Sequence, residues 1–149
     1  MSTHYSGTPE ERLALDGYIK LARAAEAVSA TINGYLKAYD LTISQFGVLE
    51  AIYHLGPLHQ KEVAHKILKS DGNLTLVLDN LSKQGLIERV RDTADRRCVY
   101  VHLTERGREL ITTIFPAHVQ RVLTTMSALT PEEQEQLAQL CRKLGLAQG

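Results

Sequence analysis

Residues 67–103 read ILKSDGNLTLVLDNLSKQGLIERVRDTADRRCVYVHL, and the order of signals in this stretch decides the fold. From about Gly72 to Gln84 the apolar residues recur at helical spacing, and Gly85 stops the run. Ser70 or Asp71 stands where an N-cap belongs. Leu86–Val90 and Val99–Leu103 then read as strands. In the second of these, Val99, Val101 and Leu103 alternate with Cys98, Tyr100 and His102, the two-residue period of a β-strand. The connecting tip, Arg91–Arg97, is crowded with charge. A polar-headed helix beside a basic hairpin has the shape to fill one DNA groove and reach the next.

Working outward, Gly56-Pro57 ends a helix that begins near Ile43, and a short helix follows over about Gln60–Leu68. Three helix starts use one device: Thr8-Pro9-Glu10-Glu11, Thr42-Ile43-Ser44-Gln45 and Thr130-Pro131-Glu132-Glu133 each place Thr three residues before Glu or Gln, a capping box. The spacing predicts a first helix from Pro9 to about Tyr39, a span of ~45 Å and too long for one small domain to bury. Thr104 caps a fifth helix through about Met126, with Pro116 inside it. The last helix carries Leu137, Leu140, Cys141 and Leu144 on one stripe. The terminal helices therefore show apolar faces with no evident partner in the same chain, which argues for a homodimer.

The expected architecture is mainly α: a winged helix-turn-helix with a two-stranded β-wing and N- and C-terminal dimerisation helices. It divides into residues 1–40 (dimerisation helix), 41–104 (DNA-binding region) and 105–149 (dimerisation helices), all in one compact domain. The 149 residues are 44% hydrophobic and 23% charged, with zero formal net charge, the balance of an ordinary globule rather than a non-specific DNA coat. Residues 59–103 hold eight cations against six anions, so a small positive excess sits in the proposed reading head. The N-terminus lacks the apolar core of a signal peptide, and no apolar run suits a membrane span. Two cysteines are too few for a disulfide scaffold, so a cytoplasmic setting is expected.

On the reading helix, Asn73, Thr75, Leu76 and Asn80 are the candidate base contacts: Asn pairs bidentately with adenine, and an apolar side chain meets the thymine methyl. Lys69, Ser70 and Lys83 are the candidate phosphate and first-turn contacts. Taken alone, these read equally as residues of any surface helix. The tip adds Asp95, Arg96 and Arg97. Paired guanidinium groups suit a narrow minor groove, and Asp95 is placed to brace one of them. A solvated turn of self-cancelling charge is the bland alternative.

The words Gly72-Asn73-Leu74-Thr75, Asp79-Asn80-Leu81, Gly85-Leu86, Asp95-Arg96-Arg97 and Leu103-Thr104-Glu105-Arg106-Gly107 together resemble the MarR family of bacterial transcription factors, over about residues 10–145. The resemblance implies a homodimer on a pseudo-palindromic double-stranded operator, clasped by the first and last two helices. It also implies that Arg97 enters the minor groove with Asp95 orienting it. It implies repression, relieved by a small aromatic or phenolic effector in a crevice that Arg12, Tyr18, Phe46, Tyr53, His54 and Phe115 would line by position. The recognition segment resembles most the branch associated with quinones and hydroquinones. Two residues depart from the family pattern: His59, where Ser or Thr usually caps the third helix, and Ser82, where Glu is common.

Other chemistries leave weaker marks. Cys98 and His102 share a strand face but stand ~13 Å apart, and no Cys-x-x-Cys or His-x-x-x-His spacing occurs, so neither a metal nor a cofactor is expected. Redox sensors of the family carry cysteine near the start of the first helix, where this chain has none. Cys98 follows two arginines, which would lower its pKa, so a thiol-based, quinone-sensing repressor using Cys98 is the alternative reading. Cys141 reads as an inert thiol of a dimer core. A winged-helix protein-interaction module without DNA is a further alternative. No nucleophile–base pair or phosphate loop supports an enzyme.

Overall fold

The computed structural model describes residues 3–67 and 71–149. The expected helix cap at Ser70, and the expected roles of Leu68 and Lys69, lie outside what is described, and Asp71, the other candidate cap, is the first residue of the helix. The elements run α1 (Pro9–Asn33), a 3₁₀ stretch (Gly34–Tyr39), α2 (Ile43–Leu55), β1 (Leu58–His59), α3 (Gln60–Ile67), α4 (Asp71–Lys83), β2 (Ile87–Arg91), β3 (Val99–Leu103), α5 (Glu105–Met126) and α6 (Pro131–Leu146). All three expected capping boxes form, with reciprocal bonds at Thr8/Glu11, Thr42/Gln45 and Thr130/Glu133. Each satisfies two backbone N–H groups that a helix start leaves open.

Two expectations on the elements need correction. The first helix stops at Asn33, six residues before Tyr39, and tightens into a 3₁₀ turn. Gly34 weakens the helix there, and the tighter winding brings Leu36 into the core. Asp40 then takes a left-handed conformation (φ 56°), a region that Asp tolerates better than most residues, and Leu41 N–H closes the turn on the Leu36 carbonyl. The sheet has three strands rather than two: β1 pairs antiparallel with β3 through Leu58↔Val101 and His59↔Tyr100, giving the order β1-β3-β2. Two residues are too few to show a period, so this strand is invisible to pattern reading. The wing hairpin itself, β2 with β3, is as expected.

The chain forms two compact units, residues 35–118 and residues 1–34 with 119–149. The first holds the core: Leu36, Leu41, Phe46, Leu49 and Ile52 meet Val63, Leu74, Leu78, Leu81, Ile87, Val101, Ile111 and Ile114, all buried. Each such side chain contributes about 1.5–3 kcal/mol by leaving water. In the second unit neither α1 nor α6 contains a buried residue. Leu13 is 76% exposed and Leu140 64%.

One junction holds the wing against α5. Gly85, at φ 72°, ends α4 as expected. Thr104 donates its N–H to the Leu86 carbonyl (3.1 Å) and its hydroxyl to the Gly85 carbonyl (2.6 Å), and that hydroxyl accepts the Gly107 N–H (3.0 Å). A β-carbon at residue 107 would lie 2.0 Å from the Leu86 carbonyl oxygen, so only glycine permits this approach. The Gly-Leu and Leu-Thr-Glu-Arg-Gly words of the sequence are the two sides of this joint.

At the other end of the reading head, His59 caps α3. Its Nδ1 accepts the Lys61 N–H (3.2 Å), and its own N–H donates to Glu62 Oε1 (3.3 Å). This is an N-cap with imidazole in place of hydroxyl, with Glu62 reaching back to the His59 N–H.

Candidate nucleic-acid interface

Helix α4 is sorted by face. Leu74, Leu78 and Leu81 point into the core. Asn73, Leu76, Asn80 and Lys83 follow the i, i+3, i+7, i+10 spacing of the opposite face. Asn73, Thr75, Leu76 and Lys83 are exposed and Asn80 is half-buried. Leu76 is 63% exposed, an apolar side chain in the middle of a polar face, suited to a thymine methyl. Lys69 and Ser70 lie outside the described residues. Asp79, which flanks this face, accepts from Arg89 Nη1 of β2 at 2.7 Å. That ion pair ties the reading helix to the wing, and pattern reading missed it because the partners lie on different elements.

The wing tip is organised around one carboxylate. Asp95 Oδ1 accepts both the backbone N–H of Arg97 (3.0 Å) and its Nε (3.1 Å), while Oδ2 accepts from Nη2 (3.3 Å). The Arg97 fork holds the Asp95 pKa below the ordinary carboxylate range, with further help from the backbone N–H. Yet the Arg97 side chain is 91% exposed. It is fixed in direction and open to solvent at once. Arg91, which the sequence reading did not single out, donates from Nη1 to the Arg96 carbonyl (2.7 Å) and braces the tip from the strand side. The turn closes through Asp92 N–H to the Cys98 carbonyl and Cys98 N–H to the Asp95 carbonyl. Arg96 is exposed beside Arg97.

The lowered thiol pKa expected for Cys98 is not found. Its thiol pKa is raised, chiefly by burial and then by the Asp95 and Asp92 charges, with Arg97 opposing only as the smallest cause. The thiol faces the Asp95 carboxylate (Sγ to Oδ2 3.6 Å), so the neighbouring acid outweighs the adjacent arginines. A raised pKa makes a poorer nucleophile. Cys141 is exposed on α6. Among the described residues no three His, Cys, Asp or Glu side chains are grouped to hold a metal, and no helix is long and apolar enough to cross a membrane.

Of the residues expected around an effector, four are drawn together. His54 and Phe115 meet edge to face at 4.6 Å, and Tyr53 lies 5.0 Å from His54 and 6.2 Å from Phe115. Phe46 is buried against His118 at 4.4 Å. His118, unforeseen, links them: it stacks on Phe115 and its Nδ1 lies 2.9 Å from the Tyr35 hydroxyl. Residues 83 apart in sequence leave no local signal of such a contact. Beside His54 a cavity of about 820 Å³ opens between α2 and α3, with Ile43, Leu55 and Ile67 as apolar walls and Glu50, His54 and Lys66 as polar ones. Arg12 and Tyr18 are exposed on α1, in the other unit.

Known proteins share this fold. Residues 30–114 match the SarA/Rot transcriptional regulator family. The chain is 36% identical to the HTH-type transcriptional regulator YkoM of Bacillus subtilis over 137 residues, 92% of this chain and 89% of that protein. Its fold matches AbsC, a MarR family transcriptional regulator from Streptomyces coelicolor, at a TM-score of 0.82 with 20% identity, covering 97% of each chain. It also matches BpsR of Bordetella bronchiseptica, whose DNA binding is regulated by 6-hydroxynicotinic acid, at a TM-score of 0.78 with 28% identity, covering 97% of this chain and 98% of that one. These relatives are transcriptional regulators, not enzymes. The helix-turn-helix and this kinship together make the chain a DNA-binding transcriptional regulator of the SarA/Rot family, with a MarR-type winged-helix fold.

Proposed function

We propose that this regulator is a homodimeric repressor that reads a pseudo-palindromic operator and releases it on binding a small aromatic or phenolic effector. Asn73, Thr75, Leu76 and Asn80 read base edges in the major groove, with Lys69, Ser70 and Lys83 on the flanking phosphates. Arg97, oriented by Asp95, enters the adjacent minor groove with Arg96 beside it. The observation that carries this reading is the Arg97 fork, a guanidinium fixed by two bonds to one carboxylate that also holds the Arg97 backbone N–H, and still almost wholly solvent-facing. A fixed, exposed cation at a hairpin tip is pre-set for the negative potential of a narrow minor groove.

The homodimer is supported by the apolar side chains of α1 and α6. Leu13, Tyr18, Leu21, Cys141 and Leu144 line an open, mainly apolar groove of about 750 Å³. The effector class is supported by the Tyr53–His54–Phe115 cluster and the cavity beside it, which offer ring faces together with Lys66 and His54 for an acidic group. The test is to select bound duplexes from source-genome fragments and titrate aromatic acids and phenols against the complex. Release by at least one of them at saturable concentration, with the selected site next to a promoter, is the expected result. A complex indifferent to the whole series would remove the effector from the reading and leave the DNA contact standing.

A further inference from the structure

Helix α4 carries an apolar side chain at the crest of its polar face. With successive residues turned roughly 100° about the axis, Leu76 stands nearly opposite the mean direction of the buried Leu74, Leu78 and Leu81. It is 63% exposed, on the part of the helix that would reach furthest into a groove. Asn73, Asn80 and Lys83 share this face with it. Thr75 lies roughly 100° round the helix from Leu76, on the flank. A leucine in this position adds nothing to the core of its own chain.

The side chains around Leu76 narrow what the crest can read. Guanine is read most often by arginine or lysine, and α4 has neither between Asp71 and Ser82. Cytosine offers an amino donor to a carboxylate, but Asp79, on the flank of this face, is held by Arg89 Nη1 at 2.7 Å. Adenine suits Asn73 and Asn80. Leu76 itself matches the apolar feature of the major groove, the C5-methyl of thymine. Over an unmodified G·C pair the same side chain would strip water from polar base edges and return no hydrogen bond, which is unfavourable.

We infer that Leu76 is a specificity-determining residue that packs on the C5-methyl group of one thymine in each half-site. The inference rests on the reading of α4 as the major-groove helix. A 5-methylated cytosine carries the same methyl in the same groove, so it is the second base that Leu76 would accept.

The experiment uses the full chain and a duplex that it selects. Each thymine is replaced in turn by uracil, which keeps the base pair and its hydrogen-bonding groups and lacks only the methyl. The wild type is expected to lose about four-fold in affinity at one thymine of each half-site, and about fifteen-fold when both are replaced, as one and then two methyl groups are removed from the contact. Leu76→Ala and Leu76→Gln should bind the original duplex more weakly and be indifferent to uracil at those positions. With cytosine in place of that thymine and guanine opposite it, C5-methylation should tighten wild-type binding, and neither variant should respond. Both variants should melt with the wild type, because Leu76 lies outside the core.

Uracil tolerated at every position would overturn the methyl contact. So would a uracil penalty that persists undiminished in both variants. Asn73→Ala separates this failure from that of the underlying reading. If it weakens binding while Leu76→Ala does not, α4 still reads the groove and only the methyl contact falls. If neither change weakens binding, α4 is not the reading helix, and both assignments fall together.

Discussion

Arg97 shows how a single side chain is prepared for its task. A free arginine carries about 2 kcal/mol of rotamer freedom, and the Asp95 fork removes part of it before DNA arrives. Arg97→Ala is therefore expected to weaken operator binding by roughly 1–3 kcal/mol while the oligomer stays intact, as read by gel shift and sedimentation. Asp95→Ala should cost less, because the guanidinium survives and only its direction is lost. Equal losses would mean that the carboxylate does more than orient. Asp95 has a lowered pKa, so its contribution is present above the ordinary carboxylate range and disappears only as the pH falls through that lowered value. Cys98 has the reverse sign. Its raised pKa favours the protonated thiol in the fold, a contribution complete below the ordinary thiol range and lost as the pH rises through the raised value. At neutral pH, iodoacetamide should alkylate Cys98 in the folded protein more slowly than in an unfolded digest, and Cys98→Ser should keep its effector response. Faster labelling in the fold would reopen the thiol switch.

Elements here are delimited by short-range chemistry and joined by long-range chemistry, and only the first kind is written plainly in the sequence. The three Thr caps, the Gly85 stop and the wing hairpin each depend on residues close in sequence, and all of them appear in the structure. The Asp79–Arg89 bridge, the Tyr35–His118 contact and the two-residue strand at Leu58–His59 depend on what the chain brings alongside. No local period announces them. The reading-head residues were legible because an exposed polar face on α4 breaks the apolar pattern. The cap by His59 was not, since imidazole is an unusual substitute for hydroxyl. Gly107 tests the joint between wing and α5. A β-carbon there meets backbone rather than a flexible side chain, so Gly107→Ala should destabilise the fold by roughly 1–3 kcal/mol, although alanine favours helices. Denaturant melting decides it. No change in midpoint would mean that Leu86 can move away, and that the Thr104 bonds do not fix the wing.

At the level of the whole molecule, charge and apolar surface are allotted to different parts. The net charge is zero, yet residues 59–103 carry a surplus of two cations, so operator binding should weaken with salt as phosphate contacts are screened. Neither α1 nor α6 buries a residue within the single chain, and sedimentation at micromolar concentration should show a dimer. Leu140→Glu with Leu144→Glu should yield monomers that keep their helical circular dichroism but bind the selected duplex far more weakly. A double variant that remains dimeric would move the interface away from α6. The wing tip has a different kind of independence. Among the described residues, the turn and side-chain hydrogen bonds that shape residues 91–98 join positions at most six apart, and these do not reach the core. The tip is thus a portable cassette: its loop can be exchanged between related hairpins, and its groove preference can drift over generations, while the interior that keeps the protein folded stays unchanged.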